Sequence, residues 1–218
     1  MIDAKNCKVN GFVERFSTYR VQKGDFIEFQ KEEREELVTL YHDKYLTAVY
    51  KPPFYVVSNK HFFLHRLDKE TSGVLLNSKE EAFRDLFRNR EIEKTYFAIC
   101  VGTHKNRKGV ITKPIEKDGI TKSAETAWEC IAQKGDFSLI KCFPKTGRTH
   151  QIRIHLASIG LPVLGDHVYG KQERTEAQRI FLHAYQVAFT HPMTEEQVVI
   201  RATPSKEFME FFSAHLFR

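Results

Sequence analysis

The order in which strand-like and helix-like periodicities follow one another constrains the fold of this 218-residue chain more than any other feature. Apolar residues in alternation share one face of a strand, whereas spacings of three and four share one face of a helix. Short strands are expected at Cys7 to Val9 and Phe26 to Phe29, with turns at Asn10-Gly11 and Lys23-Gly24-Asp25. YLTAVY, ahead of Pro52-Pro53, and the following FYVVS are β-type. In TYFAICVG, Phe97, Ile99 and Val101 fall on one face, and Tyr96, Ala98 and Cys100 on the other. AWECIAQ and FSLIKCF read as a strand pair joined by Lys134-Gly135-Asp136, and LHAYQVAFTHP alternates again. Three helical stretches interrupt these strands. Ser78 and Glu81 have capping-box spacing ahead of Ala82, Phe83, Leu86 and Phe87. Ile152, Leu156 and Ile159 define a second helix, stopped by Gly160 and Pro162, and Ser205 opens a third carrying Phe208, Phe211, Phe212 and Leu216. This mixed order gives an α+β fold rather than repeating βαβ units.

Residues 1–30 are too few for an independent core. KEEREEL, Lys31 to Leu37, carries six charges in a row and reads as a solvated helix or connector. The expected organisation is therefore a small hairpin over 1–30, a charged connector over 31–40 and a main domain over 41–218, with 18 phenylalanines available for its core.

The net charge of +6 points to anionic partners, nucleic acid first. The longest stretch without Asp, Glu, Lys or Arg runs from Ile180 to Thr194, shorter than the ~20 apolar residues of a spanning helix, so no membrane role is expected. The N-terminal residues show neither a secretory nor a lipidation pattern, and the expected location is cytoplasmic. Cys7, Cys100, Cys130 and Cys142 form no CxxC pair, which fits reduced, buried thiols and no metal site.

Two segments mix charges in a way that suggests chemistry. HRLDKETSG, from His65, sets two basic side chains and Asp68 within four positions, before small turn-forming residues. Asp68 beside Arg66 fits either a surface ion pair capping a turn or an ionised carboxylate able to act as a nucleophile. PKTGRTHQIRIHLASIGLPVLGDHVYG, residues 144–170, gathers Lys145, Arg148, His150, Arg153 and His155 at a helix start. That arrangement fits an anion seat or a solvated basic face. Gly147, Gly165 and Gly170 read as turn requirements.

In order, HRLDKETSG, EKTYFAICVG, PKTGRTHQIRIHLASIGLPVLGDHVYG and FLHAYQVAFTHP resemble the blocks of RluA-type RNA pseudouridine synthases, across roughly residues 45–215. The resemblance implies a mainly antiparallel mixed sheet with flanking helices and a central RNA-binding cleft. It implies a cofactor-free isomerase that detaches uracil from its ribose, turns it and rejoins it through carbon 5. Asp68 matches the family nucleophile, attacking either the anomeric carbon or carbon 6 of the base. Tyr96 matches the tyrosine that stacks on uracil and is a candidate base for the carbon 5 proton. Arg153 matches the arginine that pairs with the aspartate. Arg66 matches a residue that helps extrude the nucleotide, and Lys94, Arg148 and His150 are expected to contact the RNA. His150 equally fits a capping or core hydrogen-bonding role.

Large-subunit ribosomal RNA is the first expected target and transfer RNA the alternative, with a non-catalytic RNA-binding protein as the competing class. The chain is expected to act as a monomer. Pro52-Pro53-Phe54 departs from the family's proline, small residue and glycine, and the connector Asn59 to Leu64 is short. Residues 7–29 resemble part of an alpha-L RNA-binding domain.

Overall fold

The computed structural model describes residues 7–13, 20–29, 36–57, 62–170, 177 and 179–216. The chain forms two compact units, Met1–Glu35 and Glu36–Arg218. In the first, β1 (Cys7–Val9) pairs antiparallel with both β2 (Phe12–Val13) and β3 (Ile27–Phe29). Asn10 and Gly11 turn the hairpin with φ of 53° and 82°, the left-handed geometry that Asn-Gly favours. The Asn10 side chain then donates to Asp25 and accepts from the Phe26 amide, tying the hairpin turn to the lead-in of β3.

The second unit runs β4 (Val38–His42), β5 (Thr47–Lys51), β6 (Ser72–Asn77), α1 (Glu81–Asn89), β7 (Glu93–Val101), β8 (Lys108–Ile111), β9 (Ile115–Lys117), β10 (Ile120–Lys122), β11 (Thr126–Lys134), β12 (Phe137–Pro144), α2 (Gln151–Ser158), β13 (Leu182–Thr190), β14 (Gln197–Arg201) and α3 (Lys206–Leu216). Among the described residues one nine-stranded sheet has the order β4-β5-β6-β13-β7-β12-β11-β8, with β14 also on β13. Among the described strands only β6 and β13 pair in parallel. The unit is thus α+β with a mainly antiparallel sheet.

Both faces of the central strands are covered. Ala98 and Cys100 of β7 pack with Ile140, Cys142, Ile152 and Leu156, whereas Ile99 on the opposite face packs with Leu139, Phe181 and Phe208. A third cluster joins α1, through Phe83 and Leu86, to Ala48, Leu76 and Phe189. Burying one such side chain stabilises the fold by roughly 1.5–3 kcal/mol, so these clusters hold the sheet that carries the site. Cys100, Cys130 and Cys142 are buried free thiols within this packing. No helix among the described residues is long and apolar enough to cross a membrane.

Several expectations change. The capping box is absent: Glu80 is the N-cap of α1 without a side-chain bond, while Ser78 donates to the Tyr45 carbonyl and accepts from the Glu80 amide. A better acceptor for Ser78 is the neighbouring turn. Residues 55–57 of FYVVS form no strand, and residue 58 lies outside the described residues. Residues 31–35 of the charged connector and 59–61 of the short connector also lie outside them. β4 begins at Val38, within the stretch read as connector, because its register against β5 runs Val38 to Tyr50. β8 and the β9–β10 hairpin were not anticipated. The hairpin turns on Asp118-Gly119, both at positive φ.

Candidate active site

Asp68 sits on a loop held in place by three sets of hydrogen bonds. The Asp68 carbonyl accepts the Thr71 amide at 3.0 Å, closing a turn. Lys51, fully buried at the end of β5, donates from Nζ to the carbonyls of Pro52 and Lys69 at 2.8 and 2.9 Å. Burial pushes the Lys51 ammonium down to about 7, against the opposing pull of the Asp68 charge. Glu70 accepts the Ile180 amide at 3.0 Å. Beyond the loop, Gly73 has φ 122°, and a β-carbon there would overlap the Ala184 carbonyl of the parallel neighbour β13. The glycine of HRLDKETSG therefore permits the close strand contact that anchors the loop.

The charge pattern of HRLD resolves differently from its sequence reading. His65 is neutral: burial drives it down to about 3, its Nε2 accepts the Leu76 amide at 3.2 Å, and its ring stacks on Phe87. Arg66 is exposed at the cleft. Among the described residues the ion-pair partner of Asp68 is Arg153, with the His150 imidazole facing its other oxygen, and not Arg66, which corrects the turn-capping alternative.

Arg153 projects from α2, a helix preceded by His150 in the left-handed conformation, φ 54°. Gln151 fixes this entry by accepting from Thr146 Oγ1 and the Arg148 amide and donating to Glu125 and Thr126. The buried Arg153 guanidinium donates Nε and Nη2 to the two oxygens of Asp166, at 2.7 and 2.9 Å, and Nη1 to Asp68 Oδ2 at 3.4 Å. Its bidentate partner is thus Asp166, and it reaches a single oxygen of Asp68. Burial pushes the Asp166 carboxyl up, but Arg153 and the amides of Val168 and Tyr169 outweigh it and hold the carboxyl below its ordinary value. Gly165, at φ 80° with a β-carbon position overlapping the Arg179 carbonyl, delivers Asp166 to this place. Gly147 has open space and no positive φ, so no such requirement applies there.

His150 Nε2 lies 3.8 Å from Asp68 Oδ1, and its Nδ1 lies 3.0 Å from the Tyr169 hydroxyl. Burial lowers the His150 pKa, partly countered by Asp68. Tyr96, on β7, is held fully protonated: burial raises its phenol, and the Asp68 charge raises it further. Lys94 lies two residues earlier on the same strand face, its ammonium pushed down by burial and then by Arg90. Arg148 is half-buried, with Nε donating to the Ser123 carbonyl at 3.0 Å.

Asp68, Tyr96, Arg153, Arg66, Lys94, Arg148 and His150 all line one cleft of about 1050 Å³. Nine lysine and arginine residues and two carboxylates line it, so the cleft suits a polyanion. His155 does not join them. It is fully buried, with Nδ1 2.9 Å from Thr126 Oγ1 and Nε2 2.9 Å from the Lys113 carbonyl, and it braces α2 against β11. Lys145 is tied to Glu125 at 2.7 Å.

Sequence reasoning missed Asp166, Tyr169 and Lys51. Asp166 and Tyr169 stand within LGDHVYG, where an acid directly follows a glycine, and Lys51 precedes the proline pair; these were the available signals.

The sequence model described as RNA pseudouridylate synthase matches residues 19–158. Ribosomal large subunit pseudouridine synthase C of Vibrio vulnificus is 37% identical over 166 residues, covering 67% of this chain and 52% of that protein. tRNA pseudouridine synthase C of Vibrio cholerae is 33% identical over 221 residues, covering 76% of this chain and 90% of that protein. The chain thus spans about half the length of the first relative, as it does of several others. The solved structure of human RNA pseudouridylate synthase domain containing 4 shares the fold, with a TM-score of 0.71 at 23% identity, over 80% of this chain and 91% of that one.

Proposed function

The chain belongs to the RNA pseudouridylate synthase family, and on that premise we propose that it isomerises uridine to pseudouridine in structured RNA. The reaction breaks the N1–C1′ bond, forms a C5–C1′ bond, removes the proton from C5 and leaves one on N1. Asp68 is the nucleophile, and Arg153 holds its carboxylate. Tyr96 supplies the aromatic wall on which the extruded uracil stacks, since a fully protonated, buried phenol is a poor base. Arg66 helps hold the nucleotide out of its stack, which chemistry on a paired base requires. Lys94, Arg148 and His150 contact the RNA.

The observation that carries this reading is the 3.4 Å approach of Arg153 to Asp68, in a cation-lined cleft large enough for a nucleotide. Large-subunit ribosomal RNA is the proposed target, after the Vibrio vulnificus relative, with transfer RNA as the alternative, after the Vibrio cholerae one. The protein acts in the cytoplasm as a monomer, and residues 7–29 serve as an RNA-binding hairpin joined by the connector at 31–40 to the catalytic domain at 41–218. Mapping pseudouridines in cellular RNA with and without the gene tests the reading. A site lost with the gene and restored by the purified protein supports it and names the RNA. An unchanged map, or release of free uracil by the purified protein, overturns it.

A further inference from the structure

Tyr169 touches both groups that face the Asp68 carboxylate. Its hydroxyl lies 3.0 Å from His150 Nδ1, and the two rings meet edge to face with centroids 5.7 Å apart. The Arg153 guanidinium carbon lies 5.1 Å from the centroid of the Tyr169 ring, within cation–π range. Tyr169 is itself fixed through its backbone. Its amide donates at 3.1 Å to Asp166 Oδ1, part of the carboxylate that grips Arg153.

We propose that Tyr169 is a positioning residue for Asp68: its ring face steadies Arg153, and its hydroxyl donates to His150 Nδ1, so that Nε2 carries the hydrogen and turns it toward the Asp68 carboxylate. A neutral imidazole has one N–H and one lone pair, and the hydrogen bond made at one nitrogen selects the other as donor. Nε2 lies 3.8 Å from Asp68 Oδ1, and a carboxylate oxygen only accepts. A lone pair on Nε2 would face negative charge, so the hydrogen belongs there. Nδ1 then needs a donor, and the Tyr169 hydroxyl is the group placed to supply it. Burial lowers the His150 pKa and raises that of Tyr169, so both rings stay neutral and the argument from tautomers applies.

The two oxygens of Asp68 are thereby addressed from different sides, Oδ2 by Arg153 Nη1 and Oδ1 by the imidazole N–H. At 3.8 Å the imidazole acts as a dipole rather than as a bonded donor. It orients the carboxylate without engaging the lone pair that attacks.

Ring ¹⁵N spectroscopy of the full chain, at a pH of about 8 where histidine is ordinarily neutral, reads the tautomer directly. The expected wild-type result is hydrogen on Nε2 with Nδ1 as a hydrogen-bonded acceptor. Tyr169→Phe, which keeps the ring over Arg153, should move the Nδ1 resonance to that of an unbonded acceptor. Turnover of the same variant should fall roughly fivefold to tenfold in kcat with KM unchanged, as expected for one lost neutral hydrogen bond. In a His150→Asn background, Tyr169→Phe should cost nothing further, because the hydroxyl acts through His150. Hydrogen on Nδ1 in the wild type, an unmoved Nδ1 resonance in Tyr169→Phe, or the same loss of kcat in both backgrounds would overturn the assignment. Only the kinetic comparison rests on the isomerase reading. If the wild type made no pseudouridine, that reading would fail while the tautomer still decided the role of Tyr169.

Discussion

Arg153 and Asp68, 85 residues apart in sequence, meet with Nη1 at 3.4 Å from Oδ2, while the same guanidinium makes its shorter bonds to Asp166. One buried arginine thus spans two acids, a structural one that fixes its plane and a half-buried one at the cleft. Lysine carries the charge but not the planar fork, so it cannot hold both carboxylates in this geometry. Arg153→Lys is expected to lower kcat by about 10²-fold, the scale of a misplacement of ~1 Å. Asp166→Ala leaves the guanidinium buried without its main partner and should cost about 3–5 kcal/mol in denaturant titration.

Lys51 makes stability depend on pH in an identifiable window. Its pKa is about 7 in the fold against an ordinary lysine value of 10.5, so between these values the unfolded chain binds more protons at this residue. Stability therefore rises with pH across the window, is fully gained above it, and is lost as pH falls through about 7. Comparison of wild type with Lys51→Met by denaturant titration from pH 6.5 to about 10 should show this slope in the wild type and its loss in the variant.

Arg148, half-buried in the cleft lining, is expected to neutralise one phosphate. Arg148→Ala should weaken RNA binding and reduce the slope of log K against log salt by about one unit, measured by binding titrations over a salt series. An unchanged slope would remove Arg148 from the RNA path.

Gly73→Ala introduces a β-carbon into the Ala184 carbonyl at a φ that alanine rarely adopts. A strained backbone of this kind costs roughly 1–3 kcal/mol before the overlap is counted. The variant should show a lowered denaturation midpoint, and turnover should fall with it because the Asp68 loop leads directly into β6.

Local periodicity carried much of the fold. Tyr96, Ala98 and Cys100 do share one face of β7, with Phe97, Ile99 and Val101 on the other, because alternation is fixed by the strand backbone itself. The hairpin of β11 and β12 and the helix bearing Arg153 were legible for the same reason. What depended on distant partners was not. Nothing near Ser78 shows that the Tyr45 carbonyl would claim its hydroxyl, and nothing near His65 shows that its ring would be buried against Phe87 and left neutral. Asp68, Tyr96 and Arg153, which line one cleft, were singled out through ordered motif blocks. Asp166 escaped because its role exists only once Gly165 brings it beside a guanidinium thirteen residues earlier in the chain. Lys51 escaped because a lysine at a strand end ordinarily faces solvent, whereas here two carbonyls replace water around its ammonium.

The most direct test of the account is tritium release from RNA labelled at uracil C5, with the wild type and Asp68→Asn compared on one mapped substrate. Isomerisation through C5 must release that hydrogen. Release by the wild type is expected in step with pseudouridine formation, and none above background by Asp68→Asn although it still binds the RNA. Release by Asp68→Asn at the wild-type rate would contradict it.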